Sequence, residues 1–201
     1  MNEPSQPMQS LILEHRLTER MIGVMRWRVA DMESIGTADI GFIDAAVEFL
    51  RTYADRCHHG KEEDILFREL ARKPLTPEHR RVLDELSAEH VFARTTTERL
   101  FEARNRYVAG EASAHPELAA CLHLFVEFYP KHIVKEEREF FPSAMNYFTA
   151  EDLGRITAAV SEFDRRFTQV MYERAVETWE QLSEHGAQAG APRAQPGDSP
   201  L

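Results

Sequence analysis

Five times in this sequence a glutamate follows a histidine by four residues: His15/Glu19, His58/Glu62, His59/Glu63, His123/Glu127 and His132/Glu136. On a helix that spacing sets an imidazole and a carboxylate on one face, one turn apart. Turned outward, such a pair is a solvated polar contact. Turned inward it is a pair of metal ligands, because buried ionisable groups cost several kcal/mol, as an order of magnitude, unless they are paired or bind a cation. The pattern alone is weak, since nine histidines in a Glu-rich chain produce it by chance. Its value depends on which pairs face a core.

Helical punctuation defines the elements that would position them, with an apolar period near 3.6 between the stops. A first helix is predicted from about Met8 to Ser34, stopping at Gly36. A second runs from about Ala38 to Arg72 with Thr37 as its cap. Lys73-Pro74-Leu75-Thr76-Pro77 is a turn in which Thr76 caps the third helix and Pro77 takes its first position, where a missing N–H costs nothing. That helix fades near Val108-Ala109-Gly110. A fourth runs from Pro116 to about Asn146, and Pro130 inside it predicts a kink two residues before His132. Thr149 and Asp152 form a capping-box signature for a fifth helix, closed by Gly186.

Residues 187–201, like 1–7, are too poor in apolar side chains to offset their ordering entropy, and are expected to be disordered. The fold class is therefore all-α: an up-down-up-down antiparallel four-helix bundle over residues 8–146. An additional C-terminal helix over 147–186 would pack on the bundle or serve a homodimer.

Phase against the apolar stripe, at ~100° per residue, sorts the pairs. In the fourth helix Leu118, Leu122, Phe125, Tyr129 and Phe140 define a face that contains His132 and Glu136, with His123 and Glu127 nearly opposite. In the second helix the stripe is Ile43, Val47, Leu50, Ala54 and Ile65. His58 and Glu62 lie on its flank and His59 and Glu63 behind it, so the first pair is preferred by a narrower margin. His15 shares its face with Leu11, Ile12, Ile22 and Val29, and His90 with Leu83, Leu86, Thr97 and Phe101.

Depth agrees: counted from the helix ends that meet at one end of the bundle, His15, His58, His90 and His132 lie about 19, 20, 18 and 16 residues in, one level to within about a turn. The candidate metal ligands are thus His15, His58, Glu62, His90, His132 and Glu136. Imidazole and carboxylate without thiolate suit iron, with zinc or manganese as substitutes. Six protein groups overfill a single tetrahedral zinc but suit two irons.

Composition narrows the rest. The 201 residues carry 34 Asp+Glu against 24 Lys+Arg, a formal net charge of −10 that repels phosphate backbones, and no basic stripe with interleaved aromatics occurs. Nucleic acid is not an expected partner. No run approaches the ~18 apolar residues of a membrane span, and the polar N-terminus has no secretory pattern, so a cytoplasmic protein is expected. Cys57 and Cys121 match no zinc or disulfide spacing and read as reduced packing thiols.

Two segments, His58-His59-Gly60-Lys61-Glu62-Glu63-Asp64-Ile65-Leu66-Phe67 and His132-Ile133-Val134-Lys135-Glu136-Glu137-Arg138-Glu139-Phe140-Phe141-Pro142, align His58 with His132 and Glu62 with Glu136. With His15 and His90 in that order, the chain resembles the hemerythrin-like (HHE cation-binding) family over roughly Leu11 to Met145. The resemblance implies two non-haem irons, oxo- or hydroxo-bridged and spanned by the two glutamates, with positions open for oxygen, nitric oxide or peroxide.

The chain departs from the oxygen carriers of that family, which have His-x-x-x-His on the third helix. Here His90 is followed one turn later by Arg94, so one nitrogen ligand is missing. That leaves a more open site, as in relatives that sense iron or oxygen, handle nitric oxide or peroxide, or repair iron–sulfur clusters; the N-terminal cysteine segment of the repair type does not occur. Sensing and enzymatic turnover both fit.

Three further residues carry paired readings. Glu19 is either an additional ligand or holder of His15, or a surface carboxylate. Arg94 reaches either a bridging glutamate or bound anion, or solvent. Tyr129 either lines the ligand pocket or fills the core.

Overall fold

The computed structural model describes residues 6–166 and 169–189. The expected disordered tail therefore falls largely outside the described residues, as do residues 1–5. At the N-terminus helix α1, Gln6–Ile35, already begins at Gln6, where disorder was expected to Pro7. It ends against Gly36, whose φ of 74° and N–H to the Met32 carbonyl at 2.9 Å form the left-handed helix stop.

The second helical run, 40–71, is called α2 here. It opens as Ile40–Glu48, capped by the Asp39 carboxylate on Phe42 N, so the cap is Asp39 and not Thr37. Gly36 reverses the chain, residues 37–39 are non-helical, and the first side chain placed to receive the free N–H groups belongs to Asp39. Over Phe49–His59 and again over Glu62–Phe67 the helix widens to π geometry before ending as Arg68–Ala71. Helix α3, Pro77–Val108, starts as the sequence indicates, with Thr76 Oγ1 accepting from His79 N and Pro77 in the first turn.

The run 114–144 is α4. It begins at Ala114, slightly before the expected Pro116, and stays α-helical through Pro130 to Val134. It widens to a π turn over Lys135–Phe140 and ends as Phe141–Ala144. The break from α geometry near His132 thus lies after the ligand segment begins and not at the proline.

Beyond the four-helix bundle the single expected helix is two, α5 over Ala150–Asp164 and α6 over Gln169–Ala189. No glycine or proline marks the break, and Gly186, expected to end the run, lies inside α6. One glycine followed by Ala187, Gln188 and Ala189 costs a helix only about 1 kcal/mol. Both helices lie over the α1–α2 seam and run in the direction of α1: Ser10 meets Asp164, Glu14 meets Gln169 and Arg20 meets Glu180. No described helix is long and apolar enough to cross a membrane.

Apolar packing is divided along the bundle axis. One core, with Met21, Met25, Phe42, Leu50, Leu100 and Phe125, fills the end where α1 meets α2. A second, with Leu11, Leu70, Leu86, Phe140 and Phe141, fills the opposite end. Between them lies a layer of buried polar side chains.

At the far end of the seam α5 is fixed by its capping box, Thr149 N donating to Asp152 Oδ2 at 2.9 Å and Asp152 N to Thr149 Oγ1 at 3.1 Å, and by Lys73 Nζ on Asp152 at 2.6 Å. Lys73 and the Thr149 donors hold the Asp152 carboxyl well below its ordinary range. A depressed carboxyl pKa contributes stability that is full above the unfolded value near ~3.9 and is lost as pH falls through the folded one. We expect Asp152→Asn to lower the melting temperature by a few degrees at neutral pH, and that difference to shrink as pH is lowered below about 4. Parallel melts across that range check it; a difference that does not change with pH rejects the ionic contribution.

Candidate metal centre

His15 comes from α1, His58, His59 and Glu62 from α2, His90 from α3, and His132 and Glu136 from α4. All seven are at most 2% exposed. The structure therefore brings together the six residues that phase and depth selected and adds His59, which had been set behind the apolar stripe. That placement is corrected by the backbone. Phase was counted at the ~100° per residue of an α-helix, whereas His58 and His59 end an 11-residue π segment in which each residue turns through less. Two consecutive histidines then both fall in the inward sector. Glu63, the partner once paired with His59, stays at the edge, about one-third exposed.

The two glutamates occupy the middle. Glu62 Oε1 lies 3.6 Å from His58 Nε2 while its Oε2 lies 3.4 Å from His90 Nε2. Glu136 Oε2 lies 3.1 Å from His15 Nε2 while its Oε1 lies 3.4 Å from His132 Nε2 and 3.7 Å from His90 Nε2. Each carboxylate thus turns one oxygen to the His15/His58 side and the other to the His90/His132 side. Two overlapping ligand sets result: His15, His58, Glu62 and Glu136 on one side, and Glu62, His90, His132 and Glu136 on the other. His59 sits with His90 and His132 in a third group, each set having its donor atoms within 4.8 Å of one another. The His59 and His90 rings stack with centroids 3.9 Å apart.

These close approaches are not hydrogen bonds. Thirteen buried side-chain nitrogens and oxygens among the described residues have no hydrogen-bond partner, and ten belong to these seven residues: the inner Nε2 of every histidine, Nδ1 of His59, and all four oxygens of Glu62 and Glu136. Native interiors satisfy nearly all such atoms, so a concentration of unpartnered donor atoms converging on one point fits a cation site.

Outer contacts set the orientation of the rings. His15 Nδ1 meets Glu137 at 2.8 Å, His58 Nδ1 meets Glu14 at 3.0 Å, His90 Nδ1 meets Glu63 at 2.8 Å and His132 Nδ1 meets Glu89 at 2.8 Å. Each carboxylate is in turn bound by a cation: Glu137 by Arg16, Glu14 by Lys61, Glu63 by Arg94 and Glu89 by Lys135. Although burial raises the pKa of all four carboxyls, their histidine and Lys or Arg partners outweigh it and hold them ionised. An ionised carboxylate accepts, so Nδ1–H donates and Nε2 is the nitrogen turned to the centre, the one a metal would take. Burial lowers the His15 and His90 imidazoles, but Glu136 and Glu137 outweigh it and raise His15 to about 9, and Glu136 and Glu63 likewise raise His90, so a metal would displace a proton there.

The arrangement repeats. Glu14-His15 on α1 corresponds to Glu89-His90 on α3, and Lys61-Glu62-Glu63 on α2 to Lys135-Glu136-Glu137 on α4.

The buried charges of the cluster push its members' pKa values apart. Burial and the facing Glu136 push the Glu62 carboxyl well above its ordinary range. Burial also raises Glu136, but the His132, His15 and His90 imidazoles outweigh it and the net direction is down. Burial and His15 push His58 down to about 4, and burial with His90 drives His59 well below its ordinary value. Such divergent shifts within one cluster mark functional sites more often than structural ones.

The three flanking candidates divide. Glu19 is at the surface, paired with Arg16 at 2.5 Å, and is neither ligand nor holder of His15; Glu137 takes the second role. Arg94 reaches neither bridging glutamate. It donates to Asp55 at 2.6 Å and to Glu63 at 2.8 Å, and so steadies His90 through Glu63. Tyr129 is buried beside the cluster, its ring centroid 6.5 Å from that of His59 and 6.4 Å from that of His132. His123, set on the surface by phase, is exposed and paired with Glu33.

Sequence reasoning passed over the carboxylates at Glu14, Glu63, Glu89 and Glu137, although each is the chain neighbour of a candidate ligand. That adjacency was the available signal. For His59 the signal was the nitrogen missing at Arg94 together with a spare histidine next to His58.

Cys57 and Cys121 are buried free thiols, and burial pushes the first up to about 12, which keeps it protonated. No curated protein and no solved structure matched the chain. A family model, the hemerythrin HHE cation binding domain, matches residues 6–144, from the start of α1 to the end of α4. That span contains all seven clustered residues, and the chain belongs to the hemerythrin HHE cation-binding domain family.

Proposed function

We propose that this protein holds two iron ions between its four bundle helices and binds or senses a small ligand there, the ligand being oxygen, nitric oxide or peroxide. The observation that carries the reading is the convergence of ten unpartnered donor atoms on a centre in which Glu62 and Glu136 each face both sides. His15 and His58 would hold one ion, His59, His90 and His132 the other, and the two glutamates would span both. His59 restores the nitrogen that the Arg94 position lacks. Five imidazoles with two carboxylates and no thiolate favour iron over a closed structural zinc, which four ligands complete.

When bound, the irons would supply redox capacity and coordination positions for a small molecule. The protein's own side chains set the selectivity. Ligands no more than 2% exposed admit molecules of a few atoms. The four outer carboxylates accept from Nδ1–H and so turn Nε2 toward the centre, and Tyr129, whose hydroxyl burial keeps protonated, closes one side with an aromatic ring.

Metal analysis of aerobically purified protein is expected to give about two irons per chain with near-ultraviolet charge-transfer absorption, both lost in a His58→Ala/His132→Ala double variant. His59→Ala is expected to keep the fold and the His15/His58 ion while losing the other ion more readily to a chelator. Absence of bound iron after anaerobic ferrous reconstitution would sink the reading.

A metal site differs from a structural polar network in the sign of its stability effect. Replacing Glu62 by methionine removes a buried, unpaired carboxylate, so metal-free Glu62→Met is expected to melt at or above metal-free wild type while failing to load two ions. A large loss of metal-free stability would instead mark Glu62 as a structural group. Stopped-flow mixing of the reduced protein with peroxide or nitric oxide separates the roles: a stable adduct supports sensing, and multiple turnovers with an added reductant would make the protein an enzyme.

A further inference from the structure

The two-fold correspondence within the bundle does not extend to the burial of its two lysines. Lys135, which holds Glu89 and through it His132, is one-quarter exposed, with Glu85 as its other neighbour at 3.8 Å. Its counterpart Lys61, which holds Glu14 and through it His58, has no exposed side-chain surface, and Glu14 is likewise buried. The difference comes from the C-terminal helices, which lie outside the family-matched residues. Asp164, at the end of α5, accepts from Lys61 Nζ at 2.6 Å, and Gln169, at the start of α6, donates to Glu14 Oε1 at 2.8 Å. The interruption between α5 and α6 therefore falls at the level of the metal centre and delivers one polar side chain from each of its ends to the group that orients His58.

Gly60 makes this approach geometrically feasible. A Cβ on Gly60 would stand 3.1 Å from the Phe163 ring, so the bare backbone between His59 and Lys61 is what lets α5 seat beside α2. An unbroken helix would carry one side chain per turn past this point. The break supplies two groups to one carboxylate–lysine pair.

From these contacts we propose that Asp164 and Gln169 are positioning residues for the His15/His58 half of the centre. By fixing Lys61 and Glu14 they hold the His58 ring in its ligating orientation, so docking of the C-terminal helices sets the hold on one of the two ions and not on the other. The inference rests on the two-ion reading above and adds a regulatory element to it. Any partner that lifts the α5–α6 junction from the seam loosens one ion selectively. Outer partners of metal-ligating histidines typically change metal affinity by about 10–100-fold, which sets the expected scale.

The test is chelator-driven iron release from full-length, ferrous-loaded protein, followed as stoichiometry against time. Wild type is expected to release two irons slowly. Asp164→Asn and, independently, Lys61→Met should each release one iron about 10–100-fold faster with the second unchanged, and Asp164→Glu should restore the slow phase. Methionine keeps the buried stem of Lys61 packed, so this variant reads the charge and not the fill. Glu180→Gln, which removes a solvent-exposed α1–α6 ion pair away from the centre, controls for the loss of one acidic charge and should release iron as wild type does. Wild-type rates in Asp164→Asn and Lys61→Met, or equal acceleration of both irons, would overturn the proposal. A wild type that holds fewer than two irons refutes the two-ion reading itself, and that result is seen before any variant is compared.

Discussion

Everything in this bundle is arranged around the burial of seven ionisable side chains at one level of its interior. Five imidazoles and two carboxylates without solvent would destabilise the fold if they had only one another, because several cannot pair in hydrogen-bonding geometry. A cation changes the sign of that interaction, and the apolar cores at either end of the bundle supply the packing that holds the layer together meanwhile. The polar layer specifies the register of the helices, and the two cores hold that register in place.

Outside the ligands lies a second order of electrostatics. Each of four histidines is held by a carboxylate from a neighbouring helix, and each carboxylate by a Lys or Arg. His58 on α2 is held from α1, His132 on α4 from α3, His90 on α3 from α2, and His15 on α1 from α4. The contacts close a ring around the bundle, so a shift of one helix disturbs the orientation of ligands on two. The solvent-exposed pairs among them contribute little to stability singly, while Lys61–Glu14 is buried. Their consequence here is orientation, since they decide which ring nitrogen carries the proton.

The C-terminal helices extend that ring to one side only. Their position along the α1–α2 seam, the glycine that lets Phe163 approach, and the break that presents Asp164 and Gln169 all bear on the same Lys61–Glu14 pair. A chain segment outside the cation-binding domain thereby contacts the pair that orients His58.

Much of this was legible in the sequence. The four bundle helices, their antiparallel order, the caps at Thr76 and Thr149, the inward faces of α1, α3 and α4, and the clustering of His15, His58, Glu62, His90, His132 and Glu136 follow from periodicity and depth, because a regular α-helix makes angle and rise simple functions of residue number. Where the backbone leaves that regularity the inference fails. His59 was misplaced because the π geometry of α2 changes the angle per residue, and that widening has no residue signature. The division of one expected C-terminal helix into α5 and α6 has none either, lacking glycine or proline. The bridging orientation of Glu62 and Glu136, the outer carboxylates and the burial of Lys61 belong to contacts between helices distant in the chain. The sequence by itself determined which residues lie on inward faces and at what level; only the tertiary structure decided which of their atoms meet, because that depends on how four helices turn and widen against one another.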